Sequence, residues 1–205
     1  MSRPRTLLAS LVIAVAGVAT LAAATDGLQA FTSESALRAS VVRKPRPLPD
    51  APLETAQGTW IDASDLRGRW LLVDFVYTRC STYCMVQGGT FARLQRDLAT
   101  PIAQGRVVLV SLSFDPAHDG PAQLSDYRQR MGGRSEGWIV ARPRAGDDLK
   151  AWLRTFGVVV VPDGLGGFVH NAAINVVDPE GRLVAVTDWQ SPEQALAILQ
   201  HGLAR

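Results

Sequence analysis

At 205 residues the chain suits one domain with appendages, or at most two small ones. Its formal charge of +2 is accounted for by Arg3 and Arg5, ahead of the first acidic residue Asp26, and the remaining 19 basic and 19 acidic residues cancel. With no basic block and no pattern of stacking aromatics, a nucleic-acid partner is set aside.

The first segment reads as an address. Arg3 and Arg5 lead an uncharged run from Thr6 to Thr25, almost wholly apolar from Leu7 to Ala24. That length is borderline between an export signal and a membrane-spanning helix, which needs about 17–25 residues. Ala22-Ala23-Ala24 offers small residues to a signal peptidase. Retention is equally compatible, because Arg38, Arg43 and Lys44 beyond the run leave little charge bias. Either way the remainder is expected across a membrane. Asp26 to Pro52 reads as a spacer that mixes charges with Ser, Thr and Ala and ends in the Pro-rich KPRPLPDAP. A surface loop is the alternative for its part after Val41. The expected division is 1–25 as signal or anchor, 26–51 as linker and 52–205 as one domain.

Five tryptophans, all beyond residue 59, promise that domain a substantial core. Thr59 to Asp62 reads as a short strand and Ser64 to Leu66 as a turn with capping chemistry. Trp70 to Tyr77 is an apolar, β-branched and aromatic run too short for an ordinary helix, hence a buried strand. Thr78 to Tyr83 is a polar turn holding Cys80. From Cys84 the spacing becomes helical, with Met85, Phe91, Leu94 and Leu98 on one face. Arg106 to Ser113 is a second buried strand followed by the turn FDPAHDG. Pro121 to Met131 is a helix ended by Gly132-Gly133. Trp138 to Ala141 is a third strand, and Asp147 to Phe156 a helix burying Leu149, Trp152, Leu153 and Phe156, closed by Gly157. Ile174 to Val177 and Leu183 to Val186 form a hairpin through DPEG. Ser191-Pro192-Glu193 opens a final helix with an N-cap and Pro at its first position. Strands alternating with helices imply parallel pairing, and the hairpin adds antiparallel pairing, so the fold class is α/β with a mixed sheet.

Both cysteines of the chain fall where a strand hands over to a helix. Cys80 and Cys84 form C-x-x-x-C, a spacing at which two thiols can grip one ion or close a disulfide. The helix N-terminus and Arg79 both favour thiolate, the form that binds metal and attacks disulfides. A structural disulfide or two buried thiols is the bland alternative. Of three histidines, His201 lies near the C-terminus of the last helix, where a cation meets the dipole favourably. His118 sits in a turn and reads as solvated. His170 follows the Gly-rich Asp163-Gly164-Leu165-Gly166-Gly167, so a loop could carry it to the cysteine turn. A lone histidine is more often structural, and spacing alone leaves it open.

VDFVYTRCSTYC, then SLSFDPAHDGPAQLSDYRQRMG, then FVHNAAINVVDPEGRLVAV, in that order, resemble the Sco/SenC family of copper proteins. The resemblance runs from Pro52 to the C-terminus. It implies a thioredoxin-like fold, a membrane-tethered or exported domain on the periplasmic side, and copper held by Cys80, Cys84 and His170. It also implies a copper-receiving partner, cytochrome c oxidase subunit II, whose dinuclear site such metallochaperones help to assemble. Asp115 matches an acidic position of the family's S-x-D-P segment and reads either as support behind the ligands or as a turn-former before Pro116. The family usually carries Pro after the motif cysteines, where this chain has Ser81 and Met85. Met85 reads as a core side chain, with a thioether role toward copper as the alternative. Two thiolates and an imidazole suit Cu(I), and with one more ligand they hold Cu(II). The alternative function is a thiol–disulfide oxidoreductase, Cys80 and Cys84 cycling to reduce the cysteines of a copper-receiving protein.

Overall fold

The structure, a computed structural model, describes residues 3–25, 27, 32–80 and 83–204, with the side chains of residues 3 and 83–85 outside that description. It divides into two compact units, Met1–Arg43 and Lys44–Arg205.

In the first unit, α1 spans Arg3–Ala24. Twenty-two residues at a helical rise extend about 33 Å, the thickness of a bilayer's hydrocarbon core. Pro4–Ala24 is long and apolar enough to cross a membrane, a property that signals and anchors share. A second helix, α2, spans Ser33–Arg43, inside the stretch read as a spacer. Its start is set by a reciprocal cap that composition does not reveal. Thr32 Oγ1 accepts from the Ser35 N–H at 3.1 Å, and Ser35 Oγ accepts from the Thr32 N–H at 3.0 Å. Glu34 in the first turn and Arg43 in the last suit the helix dipole, and Arg38 pairs with Glu34 one turn away.

The second unit begins with β1 (Arg46–Pro47), β2 (Leu53–Thr55), β3 (Trp60–Ile61) and a 3-10 turn at Ala63–Leu66. Then come β4 (Trp70–Val76), α3 (Tyr83–Asp97), α4 (Ala99–Ala103), β5 (Val107–Ser113), α5 (Pro121–Arg130) and β6 (Trp138–Pro143). It closes with α6 (Asp147–Phe156), β7 (Val160–Pro162), β8 (Phe168–His170), β9 (Ala173–Val177), β10 (Arg182–Asp188) and α7 (Pro192–Leu203). Eight strands form one sheet in the order β1-β10-β9-β4-β5-β6-β2-β3, and β7 and β8 form a separate pair. β4, β5 and β6 run parallel, and the remaining pairings are antiparallel.

The long elements lie within two residues of their expected bounds, because each carries its own periodicity. Of the short ones, the strand at Trp60–Ile61 and the capped turn at Ala63–Leu66 match their expected places, and the others were not legible. β1 and β2 exist through their partners, β10 and β6, rather than through any pattern of their own. Pro192 does stand at the first turn of α7, but the Ser191 side chain makes no capping bond there.

β4 is buried along almost its whole length because helices cover both faces of the sheet. Leu72 and Val76 join Phe91 and Leu94 of α3, Leu124 and Tyr127 of α5, and Leu199 of α7 in one cluster. The alternate residue Phe75 faces the other way, with its ring 5.2 Å from that of Phe156 on α6.

Between Leu72 and Val76, on the α3 side, stands Asp74, fully buried and with neither carboxylate oxygen in a geometrically sound hydrogen bond. Burial pushes its carboxyl from 3.8 up to about 7, and the Ser111 hydroxyl beside it on β5 offsets only part of that. Between these values the folded chain keeps a proton that the unfolded chain has released, so stability falls as pH rises across the window. Asp74→Asn is expected to remove this fall and to be more stable than wild type above pH 7, by on the order of 4 kcal/mol. Urea unfolding between pH 4 and 8 measures it; a variant that loses stability with pH as steeply as wild type would acquit Asp74.

Candidate metal centre

Strand direction brings the two halves of the site together. β4 pairs in parallel with β5 and antiparallel with β9, in the register Leu71↔Val177 and Val73↔Asn175. The C-terminal end of β4, which leads to Cys80, therefore lies at the same edge as the start of β9, which His170 precedes. Cys80 and His170 line one cavity of about 380 Å³, together with Tyr77, Asp163, Phe168 and Trp189. Cys84 is the second residue of α3. Its side chain, like that of Met85, lies outside the described residues, as does Ser81. Among the described residues no group of three His, Cys, Asp or Glu side chains is arranged to hold a metal ion.

Cys80 is 8% exposed and sits on a turn rather than in the helix. Its N–H closes the turn onto the Tyr77 carbonyl at 3.2 Å. The loop after β5 grips that turn. Asp119 accepts from the Thr78 N–H at 2.9 Å and from the Thr78 hydroxyl at 2.6 Å, and its carboxylate is completed by the Ser113 hydroxyl at 2.6 Å. Arg79 donates to Asp115 Oδ2 at 2.7 Å, and His118 Nδ1 lies 2.8 Å from Asp115 Oδ1. Burial pushes the Asp115 carboxyl up, but the bonds from His118 and Arg79 outweigh it and hold the group below the usual carboxylate range. Asp115 thus stands behind the residue next to Cys80. Arg79 spends its charge on that carboxylate, so it offers the sulfur less than a bare cation would. His118 is half exposed but paired, not simply solvated.

His170 ends β8 in a hairpin, not in a flexible loop. Its register is Val160↔His170 and Pro162↔Phe168. The Asp163-Gly164 turn is built by Asp163 Oδ1, which accepts from the Leu165 and Gly167 N–H groups at 2.7 and 2.9 Å. Gly167 lets two side chains approach closely: a Cβ there would meet Asp163 Oδ2 at 2.6 Å and the Tyr77 hydroxyl oxygen at 3.1 Å, so both would have to shift. At the hairpin's base Asn171 accepts from the Val159 N–H at 2.7 Å and donates to the Gly157 carbonyl at 3.1 Å. Gly157 itself ends α6 in the left-handed region, at φ 68°.

Rings complete the assembly. Phe114, from the loop after β5, lies 4.8 Å from the His170 ring, and Tyr77, Phe114 and Phe168 pack against one another tilted or edge-to-face, with ring centroids 5.3 to 5.6 Å apart. Burial pushes the His170 imidazole down, which keeps it neutral and able to bind a metal near pH 7. Its Nδ1 faces the Asn171 carbonyl at 3.3 Å, so Nδ1 carries the proton and Nε2 keeps the lone pair. A thiol and an imidazole on one partly apolar cavity are donors of the soft and borderline kind that copper favours. His201, by contrast, is exposed in the last turn of α7.

Tyr77, Phe114, Phe168 and Asp119 were not singled out from sequence. The Asp-Gly pair at 163–164 was a usable hairpin signal. Asp119 in FDPAHDG looks like any turn-former until the fold places it under Thr78.

The sequence profile of the SCO1/SenC family matches residues 52–203. A SCO1 protein homolog of Bacillus subtilis (strain 168) is 24% identical over 133 residues, which is 64% of this chain and 68% of that protein. Among solved structures, Bradyrhizobium japonicum ScoI with copper bound is similar at 23% identity and a TM-score of 0.61, over 74% of this chain and 96% of its own. BsSco, described with a disulfide switch and as a member of the Sco family of cytochrome c oxidase assembly proteins, is similar at 19% identity and a TM-score of 0.67, over 78% and 94%. The fold is thioredoxin-like, α/β with a mixed central sheet. By its match across three quarters of its length, the chain belongs to the SCO1/SenC family.

Proposed function

We propose that the protein is a copper metallochaperone that carries the ion as cargo on Cys80, Cys84 and His170 and delivers it toward the dinuclear copper site of cytochrome c oxidase, with subunit II as recipient. The observation that carries this reading is the single cavity lined by Cys80 and His170, residues ninety positions apart. Family membership supports it, as does the copper-bound state of the Bradyrhizobium japonicum relative. Two thiolates and one neutral imidazole would hold Cu(I) without a fourth ligand, whereas Cu(II) would draw in another. Asp115 supports the site through Arg79 instead of binding the ion. The N-terminal apolar helix, as anchor or cleaved signal, puts the carrier domain on the periplasmic side in this reading.

A carrier must also meet its recipient. Val159, Val161 and Val169 are exposed on the hairpin that bears His170, Val161 and Val169 are directly paired, and Leu165 at its tip is 92% exposed. Apolar groups so concentrated beside the cavity suit a transient protein partner. The second reading, a thiol–disulfide oxidoreductase acting on the recipient's cysteines, is favoured by the placing of the cysteine pair where a thioredoxin-like strand gives way to a helix. The two readings separate at His170, which metal binding needs and dithiol cycling does not.

Titrating the reduced full chain in detergent with Cu(I) should give one ion per chain, with the affinity lost in Cys80→Ser, Cys84→Ser and His170→Ala. His170→Ala should still cycle between dithiol and disulfide. Stoichiometric binding that survives removal of both sulfurs would refute the carrier reading. Val161→Thr with Leu165→Thr, neither of which lines the cavity, should leave copper affinity unchanged and slow transfer to a soluble subunit II domain about tenfold, as judged by stopped-flow absorbance. Unchanged transfer would exclude the hairpin face from the encounter.

A further inference from the structure

The turn that presents Cys80 is held at both inner positions by another loop, and the two grips differ in kind. Arg79 reaches Asp115 with a long, half-exposed side chain, so that pair can shift without moving the backbone. Asp119 is 0% exposed and grasps the Thr78 backbone N–H itself. Moving residue 78 would leave a buried carboxylate short of donors, a far larger penalty than losing a surface pair. The same carboxylate is aimed from two further sides. Ser113 at the end of β5 donates to it, and the Asp119 N–H bonds the Asp115 carbonyl at 3.0 Å. In the next peptide unit, Arg130 of α5 donates to the Thr78 carbonyl at 3.3 Å. Both backbone polar groups of Thr78, two residues before the cysteine, are therefore fastened to the body of the fold.

We infer that Asp119 is a positioning residue for Cys80: by fixing Thr78 it keeps the cysteine on the wall of the cavity it shares with His170. The inference deepens the copper reading and rests on it for the metal readout, but the dithiol equilibrium tests it independently. A cysteine whose turn is loosened pays more to meet its two co-ligands at once, and the same holds for meeting Cys84 in a disulfide.

The test uses the full chain in detergent. Cu(I) affinity is measured by competition with a chromophoric chelator, and the Cys80–Cys84 equilibrium in glutathione buffers. Asp119→Asn keeps the shape but replaces one acceptor oxygen with a donor, and should weaken Cu(I) about tenfold or more and shift the dithiol–disulfide constant by at least severalfold. Asp178→Asn is the matched control. Asp178 is 5% exposed and accepts from the Arg182 N–H and Nε at 2.8 Å, in the turn beyond Val177 at the far end of β9. It should resemble wild type in both measurements. Wild-type behaviour of Asp119→Asn, or equal losses in the two variants, overturns the inference. Should Asp119→Asn fail to fold, Thr78→Val and Thr78→Ser decide: loss in the first with retention in the second supports the role, and no difference between them overturns it. If wild type takes no Cu(I), the copper reading falls alone and the dithiol equilibrium judges Asp119.

Discussion

Everything at the candidate centre depends on the direction of three neighbouring strands. A cysteine after β4 and a histidine before β9 meet only because β9 runs against β4 while β5 runs with it. Had β9 been parallel, His170 would sit at the opposite edge of the sheet, about 20 Å away along a seven-residue strand. The β5 end contributes the support behind the cavity, since a parallel neighbour brings the Phe114–Gly120 loop to the same edge, against the cysteine turn and the His170 ring. One sheet edge thus gathers a thiol, an imidazole and the carboxylates that organise the turn between them.

Charge at this edge is arranged with some economy. Asp115 and Asp119 are buried carboxyl groups beside a cysteine turn. Each is satisfied differently. Asp115 takes the charge of Arg79 and a hydrogen bond from His118, whereas Asp119 takes neutral donors that also fix the backbone. Asp74, within β4, has neither arrangement and is pushed toward the neutral acid. Three buried aspartates thus meet burial in three ways: by ion pair, by dense hydrogen bonding, and by keeping the proton.

The sequence disclosed whatever has its own period. β4, β5, α5 and α6 were legible because burial on fixed faces writes itself into the spacing of Leu, Val, Trp and Phe. The C-x-x-x-C motif announced chemistry, and the block containing His170 could be joined to it by resemblance. What stayed hidden has no local signature. β2 is three residues paired with β6, the α2 cap lies in a Ser-rich stretch that composition files as linker, and His170 was read onto a loop because Gly164, Gly166 and Gly167 look permissive. In fact those glycines serve a tight hairpin turn stitched by Asp163. Asp119 was invisible for a deeper reason: its partner Thr78 is 41 residues away, and only the parallel pairing of β4 with β5 makes them neighbours.

The hairpin of β7 and β8 shares no ladder with the eight-stranded sheet. It is attached through the Phe168 N–H on the Tyr77 hydroxyl at 3.4 Å, through Asn171 at its base, and through the rings of Tyr77, Phe114 and Phe168. An imidazole mounted in this way can be withdrawn without unzipping any central strand. On the proposed carrier reading, letting an ion go then means parting a few aromatic contacts, while the sulfur side stays fastened to the frame. Such a holder is hinged on one jaw only.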